Sequence, residues 1–247
     1  IGDVTSDRAP VQISDLSQIK TMDDWLKRLW LEGNGGGGAK ESYEYFAYYL
    51  AYMVDFPDDG VDRYCIFTGD EGFYEDLHAN ELKAHFGGQH ESTTAKKVFA
   101  DLLKKFKGNV FIIRKRYGSG SRNTQIQKQW EAVLGKSRVI PLPEDTAIGD
   151  ITLGILALTG GSRTLSEYTD DMKSRDQDAG RIRQVNAALT PLSRLKICKD
   201  ARARWLEAQR ADKAVADAEL NAAASTPPDT TAGKAPPKKK KRRFHGA

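Results

Sequence analysis

Cysteine is almost missing from this chain: Cys65 and Cys198 are its only two, and they lie far apart. That rules out a disulfide framework. Cys65 falls inside the apolar run RYCIFT at 63–68 and reads as a buried, reduced thiol. No apolar run is long enough to span a bilayer, and no signal-peptide pattern is present. These absences predict a reducing, cytoplasmic setting and no membrane partner. Several catalytic spacings are missing as well. His78, Glu81, His85 and His90 do not have the zincin spacing, so they read as a solvated helix face rather than a zinc site. The phosphate-binding pattern Gly-x-x-x-x-Gly-Lys-Ser/Thr is not met, because Lys40 is displaced and the element before it is a helix. Ser119 and Ser121 have no nucleophile-elbow context. A starting methionine is missing too, so the expectation is that residues before Ile1 are processed away or absent.

What the chain does have is a glycine-rich stretch at 33–51, GNGGGGAKESYEYFAYYLA, with glycine at five of its first six positions. Glycine lets backbone or ligand approach without a Cβ in the way. A helix follows at once: Tyr43, Phe46, Ala47, Leu50, Ala51 and Val54 recur at helical spacing. Its free N–H groups point back at the glycine run, and Glu41 and Ser42 add oxygen-bearing side chains there. Two readings stay open: an ion-linked site, or a loop with an ordinary N-cap.

The rest of the order is regular. A strand end runs into a loop at 1–11, and a short helix at 21–31 carries the stripe Met22, Trp25, Leu26, Leu29 and Trp30. Strands are predicted at 63–68, 109–114 and 138–142, the last an edge because of Pro141. Helices are predicted at 74–86, 93–106, 124–134 and 145–158. Strand–helix alternation predicts an α/β fold: a doubly wound, mostly parallel sheet with helices on both faces. The domain reading is an α/β domain over 1–172, exposed helices over 173–224 broken near Pro191, and a disordered tail over 225–247.

Charge is uneven. The chain's formal net charge is +4, yet Lys234, Lys238, Lys239, Lys240, Lys241, Arg242 and Arg243 sit together without an acid. The remainder is therefore net acidic. The tail is expected to make only weak, salt-dependent contact with polyanions. Arg114, Lys115 and Arg116 end a strand and are either phosphate contacts or solvated charges.

The segments IGDVTSDRAPVQ, WLEGNGGGGAKESYEYFAYYLA and CIFTGDEGFYE, in this order, resemble the von Willebrand factor A-type domain of the bacterial intracellular kind. The resemblance spans roughly residues 1–172. It implies an Mg²⁺ ion, or Mn²⁺ or Ca²⁺, held at the top of the sheet in a metal-ion-dependent adhesion site. Three loops of the family supply that ion. Asp70 matches the acid after a strand, and Glu41, or else Ser42, stands where the family has threonine. The family's D-x-S-x-S is not in the sequence; Asp3-Val4-Thr5 is the nearest look-alike, and Asp3 is expected at the surface. The expectation is that the first strand and its motif lie upstream of Ile1. The resemblance implies a binding module, not an enzyme, whose partner protein donates a carboxylate to the ion. It also implies work beside AAA+ ATPases as an adaptor. The rivals are a metal-dependent hydrolase such as a phosphoesterase, drawing on Asp70, Glu71 and Asp3, and a metal-free scaffold with a polyanion-binding tail.

Overall fold

The computed structural model describes residues 1–15, 19–32, 38–57, 59–118 and 120–225. The expectations placed on glycines 33 and 35–37, on Asp58, on Ser119 and on the basic tail fall outside the described residues. Residues Ile1–Trp205 form one compact unit and the chain from Leu206 a second.

Five strands occur among the described residues: β1 (Cys65–Gly69), β2 (Asp76–Leu77), β3 (Thr93–Thr94), β4 (Val110–Arg114) and β5 (Val139–Pro141). β1, β4 and β5 form a parallel sheet in the order β1-β4-β5. The central β4 is buried at all five positions. That is why its sequence VFIIR is a continuous β-branched and aromatic run rather than an alternating one. Pro141, which cannot donate to a ladder, ends the edge strand β5, as its sequence predicts. β2 and β3 make a separate antiparallel pair.

Helices cover both faces of the parallel sheet. On one face lie α2 (Tyr43–Tyr48), continued by a π turn at Tyr49–Met53, with α4 (Ala95–Lys105) and α5 (Ser121–Leu134). They close over Phe67, Val110, Ile112 and Val139. On the other face α6 (Ile148–Thr159), α7 (Leu165–Ser174) and α8 (Ala179–Ser193) close over Phe111, Ile113 and Ile140. The side chains alternate because successive strand residues point to opposite faces. Each large apolar group buried this way contributes about 1.5–3 kcal/mol. The first face is aromatic: Trp130 meets Tyr43, Phe73 and Phe99 at ring separations of 5.2, 4.8 and 5.5 Å. The second is mostly aliphatic, with Phe111 and Tyr168 its buried aromatics.

Four expectations need correction. Residues 1–11 hold no strand. They fold back on themselves, Gly2 N donating to the Pro10 carbonyl at 2.6 Å and Asp7 N to that of Asp3 at 2.8 Å. The helix expected at 21–31 is only α1 (Met22–Leu26), and Met22, Leu26, Leu29 and Trp30 are exposed rather than buried. The helical piece expected at 74–86 begins as β2, and its helix is α3 (Ala79–Phe86). The helices after Ser174 are not all exposed, since α8 buries Val185, Ala188, Leu189 and Leu192. Pro191 sits inside α8, and the break comes after Ser193, before α9 (Lys196–Ser225). Cys65 is buried and free, and burial pushes its thiol up to about 12. No helix among the described residues is long and apolar enough to cross a membrane.

Candidate functional site

Three segments far apart in sequence meet beyond the carboxyl end of β1: residues 1–7, 38–44 and 69–74. Backbone bonds lock them together. Glu41 N donates to the Gly72 carbonyl at 2.9 Å and Gly72 N to that of Ala39 at 3.0 Å, a short parallel bridge. Ser42 N donates to the Gly2 carbonyl at 2.9 Å. Two glycines permit the approach. A Cβ on Gly69 would lie 1.8 Å from the Tyr43 hydroxyl, and one on Gly72 would lie 2.4 Å from Gln129 Oε1. Gln129 reads the loop backbone at both ends of its amide: Oε1 accepts from Phe73 N and Nε2 donates to the Phe73 carbonyl. Trp130 Nε1 donates to the Glu71 carbonyl at 2.9 Å, so the aromatic core holds the loop from below.

These segments gather carboxylates. Asp3 is 6% exposed, not at the surface as expected. Its Oδ1 accepts from Thr5 N, from the Thr5 hydroxyl and from the Tyr74 hydroxyl, each at 2.8 Å. Burial alone would raise its pKa, but those bonds outweigh it and hold the carboxyl below its ordinary value. Glu41 has no such help. Burial, then the charges of Glu71, Asp7 and Asp3, push it up to about 7, and its buried Oε2 has no hydrogen-bond partner. Glu71 is raised by burial and by Asp70 and Asp3. Burial first, then Glu41, Asp70 and Glu71, raise the Tyr43 hydroxyl, which places it among the same charges. Glu44 lies one turn into the site and is fully buried. Its Oε2 accepts from Tyr74 N at 3.2 Å, its Oε1 has no partner, and burial pushes it up to about 8.

The charges of Asp70 and Glu41 both bear on the Tyr43 hydroxyl, that of Asp70 on Glu71 and that of Glu71 on Glu41. Ser42 is different: it is fully buried, and its Oγ accepts from Val4 N at 2.8 Å. That bond also explains why Ser42 does not cap α2 with its side chain. The charge of Asp70 also acts on Arg114 and Lys115. Arg114 is a buried structural group that donates to the carbonyls of Lys115 and Asn123, and Lys115 pairs with Asp145 at 2.9 Å. Neither is left as the free phosphate contact that the strand end allowed. His78 and His85 are exposed, as a solvated face requires; His85 also meets the Tyr45 ring edge-on, and His90 Nδ1 lies 3.0 Å from the Tyr48 hydroxyl.

Among the described residues, no group of three or more His, Cys, Asp or Glu side chains is placed to hold a metal ion. The donor chemistry nevertheless suits a hard cation: Glu41 presents a buried, orphaned carboxylate oxygen beside further acids. Beside the acids, a cleft of about 470 Å³ opens between residues 38–40, Tyr74 and α5, with Lys40 and Arg122 on its walls. Tyr74 joins the two, its hydroxyl on Asp3 and its ring 4.9 Å from the Lys40 ammonium.

Sequence reasoning missed Glu44, Tyr74 and Asp7 and misplaced Asp3. The signal for Asp3 was present: Asp-x-Thr in a turn-forming stretch is the pattern of a side chain that binds its own backbone two residues on. Glu44 gave none, since a charged residue in a helix's first turn is ordinarily solvated. The chain matches no known family model, no curated protein and no solved structure.

Proposed function

We propose that this chain is a binding module, not an enzyme, and that it meets its partner through the acidic crevice beyond β1. The observation that carries the reading is Glu41: a carboxylate with a buried, unpaired oxygen, crowded by Glu71, Asp7 and Asp3. Such a group invites a positive charge. Glu41 and Asp70 would hold a divalent ion of the Mg²⁺ kind, with Ser42 adjoining them. Mg²⁺ commonly keeps several waters and takes only one or two protein carboxylates, so two acids suffice on the chain's side. A bound ion would supply a positive point at which a partner's carboxylate completes the shell.

The chain's own residues do the rest. Asp3, held ionised by Thr5 and Tyr74, keeps the crevice negative. Tyr43 and Trp130 fix the loop that carries Asp70 and Glu71. The cleft walled by Lys40 and Arg122 gives the partner segment room beside the acids. The finer fold reading belongs here too: the helix-covered parallel sheet is consistent with a doubly wound domain of the von Willebrand factor A type, and an ion at the carboxyl end of a strand suits it. An adaptor role beside an AAA+ ATPase in the cytoplasm extends the same resemblance.

Paramagnetic broadening by Mn²⁺ tests the reading. Substoichiometric Mn²⁺ should broaden the amide signals of residues 3–7, 39–44 and 69–74 and leave those of α8 sharp. Uniform broadening, or none, would remove the crevice as an ion site.

A further inference from the structure

At the opposite end of the sheet, before the first residues of β1 and β4, lies a second open cleft of about 610 Å³. Its walls are the turn after α4, the short 3-10 turn Lys136–Arg138 and the start of α9. Four cations line it: Lys107, Arg138, Lys196 and Arg204. Asp62 and Asp200 are the acids there, and Asp200 is spent on Lys196 at 2.6 Å.

The cations are not equivalent. Arg138 is anchored, its Nε donating to the Gly108 carbonyl at 2.9 Å and one terminal nitrogen to that of Leu134 at 3.3 Å. Lys107 and Arg204 have no ion pair among the described residues. Lys107 also sits at φ +52°, in the left-handed region that disfavours a residue with a Cβ. Asp176 is the other non-glycine residue at positive φ among the described residues, and aspartate tolerates it. A lysine held there puts its charge at the cleft mouth, a placement glycine would give up. Asn109 also lines the cleft and is 3% exposed. Its backbone is fully used, N on the Phe106 carbonyl and O accepting from Cys65 N, while its Oδ1 accepts nothing.

We infer that this cleft binds a small phosphate-bearing molecule. Lys107, Arg204 and the Arg138 guanidinium would take the phosphate. A dianion lying among these cations would accept charge-assisted bonds from them. The volume falls in the usual range for small-molecule sites, roughly 300–1,000 Å³. The inference is independent of the acidic crevice.

Ribose 5-phosphate is the probe, titrated into the full chain and followed by calorimetry and by the amide signals of Lys107 and Asn109. The expected result is saturable one-to-one binding that moves both signals. Arg204→Ala and Lys107→Gly should each weaken it about tenfold, the size of one lost charge-assisted contact. Neither should unfold the protein, because both side chains are free of structural bonds, and Lys107→Gly should unfold no earlier than wild type. Absence of saturable shifts at Lys107 and Asn109 would overturn the inference. So would binding that survives intact in both variants, which would place it on the basic tail.

Discussion

Beyond the carboxyl end of β1, Asp3, Asp7, Glu41, Asp70 and Glu71 gather on loops from three parts of the chain; before its amino end, Lys107, Arg138, Lys196 and Arg204 gather around a cleft. The two ends share one sheet but are built differently. The acidic end is tied down by backbone bonds between the loops and by Trp130 beneath them. Its cost falls on Glu41 and Glu71, which burial first and neighbouring carboxylates second push above their ordinary pKa. The basic end is looser, with Lys107 and Arg204 held by no ion pair among the described residues. The contrast teaches that charge of one sign can be concentrated either by rigid loops or by free side chains around an open cleft. The rigid case leaves buried carboxylate oxygens, on Glu41 and Glu44, without a hydrogen-bond partner.

The strongest way to break the contrast is Trp130→Ala. It removes a fully buried ring from the centre of the aromatic face and should cost about 3–5 kcal/mol in urea unfolding. If the protein stays folded, ion binding at the acidic end should fail while the basic cleft keeps its ligand. Next comes pH. Glu44 has a folded pKa of about 8 against an ordinary value of 4.5. The folded chain binds the proton more tightly, so Glu44 favours folding fully below pH 4.5, and that contribution is lost as pH rises towards 8. Glu44→Gln keeps the acceptor for Tyr74 N and removes the titration. It should exceed wild type in stability by on the order of 1–3 kcal/mol at pH 8, the gap closing towards pH 4.5. A constant gap across that range would contradict the assignment. Trp130→Phe, which keeps the ring but drops the bond to the Glu71 carbonyl, should cost about 1 kcal/mol beyond any packing loss and weaken divalent-ion binding. The smallest effect belongs to the basic end. Lys107→Gly should raise stability by about 1 kcal/mol in thermal unfolding, because glycine relieves the left-handed backbone.

Much of the sheet was legible in the sequence. β1, β4 and β5 fall within a residue or two of the predicted strands, because continuous apolar runs such as VFIIR have few alternatives once helices flank them. The long amphipathic helices α4 and α5 were legible for the same reason. The failures lie where tertiary contacts override local pattern. Residues 1–11 look strand-like, yet Asp3 and Asp7 close a turn on their own backbone. The stripe on α1 has helical spacing but no core to meet among the described residues. At the site, Asp70 was legible as an acid after a strand between glycines. The turn at Asp3 was legible in Asp-x-Thr, but its burial and that of Glu44 were not, because burial depends on three segments meeting, which no spacing records.

Calorimetric titration of Mg²⁺ into the full chain at pH 6.5, repeated with Glu41→Gln and with Asp70→Ala, tests the central claim most directly. The account predicts one-to-one binding with proton release, since Glu41 titrates near pH 7 and must ionise to take the ion. Each variant should weaken binding at least about tenfold, and Glu41→Gln should abolish the proton release. No binding by the folded wild-type chain, or binding that both substitutions leave unchanged, would contradict it.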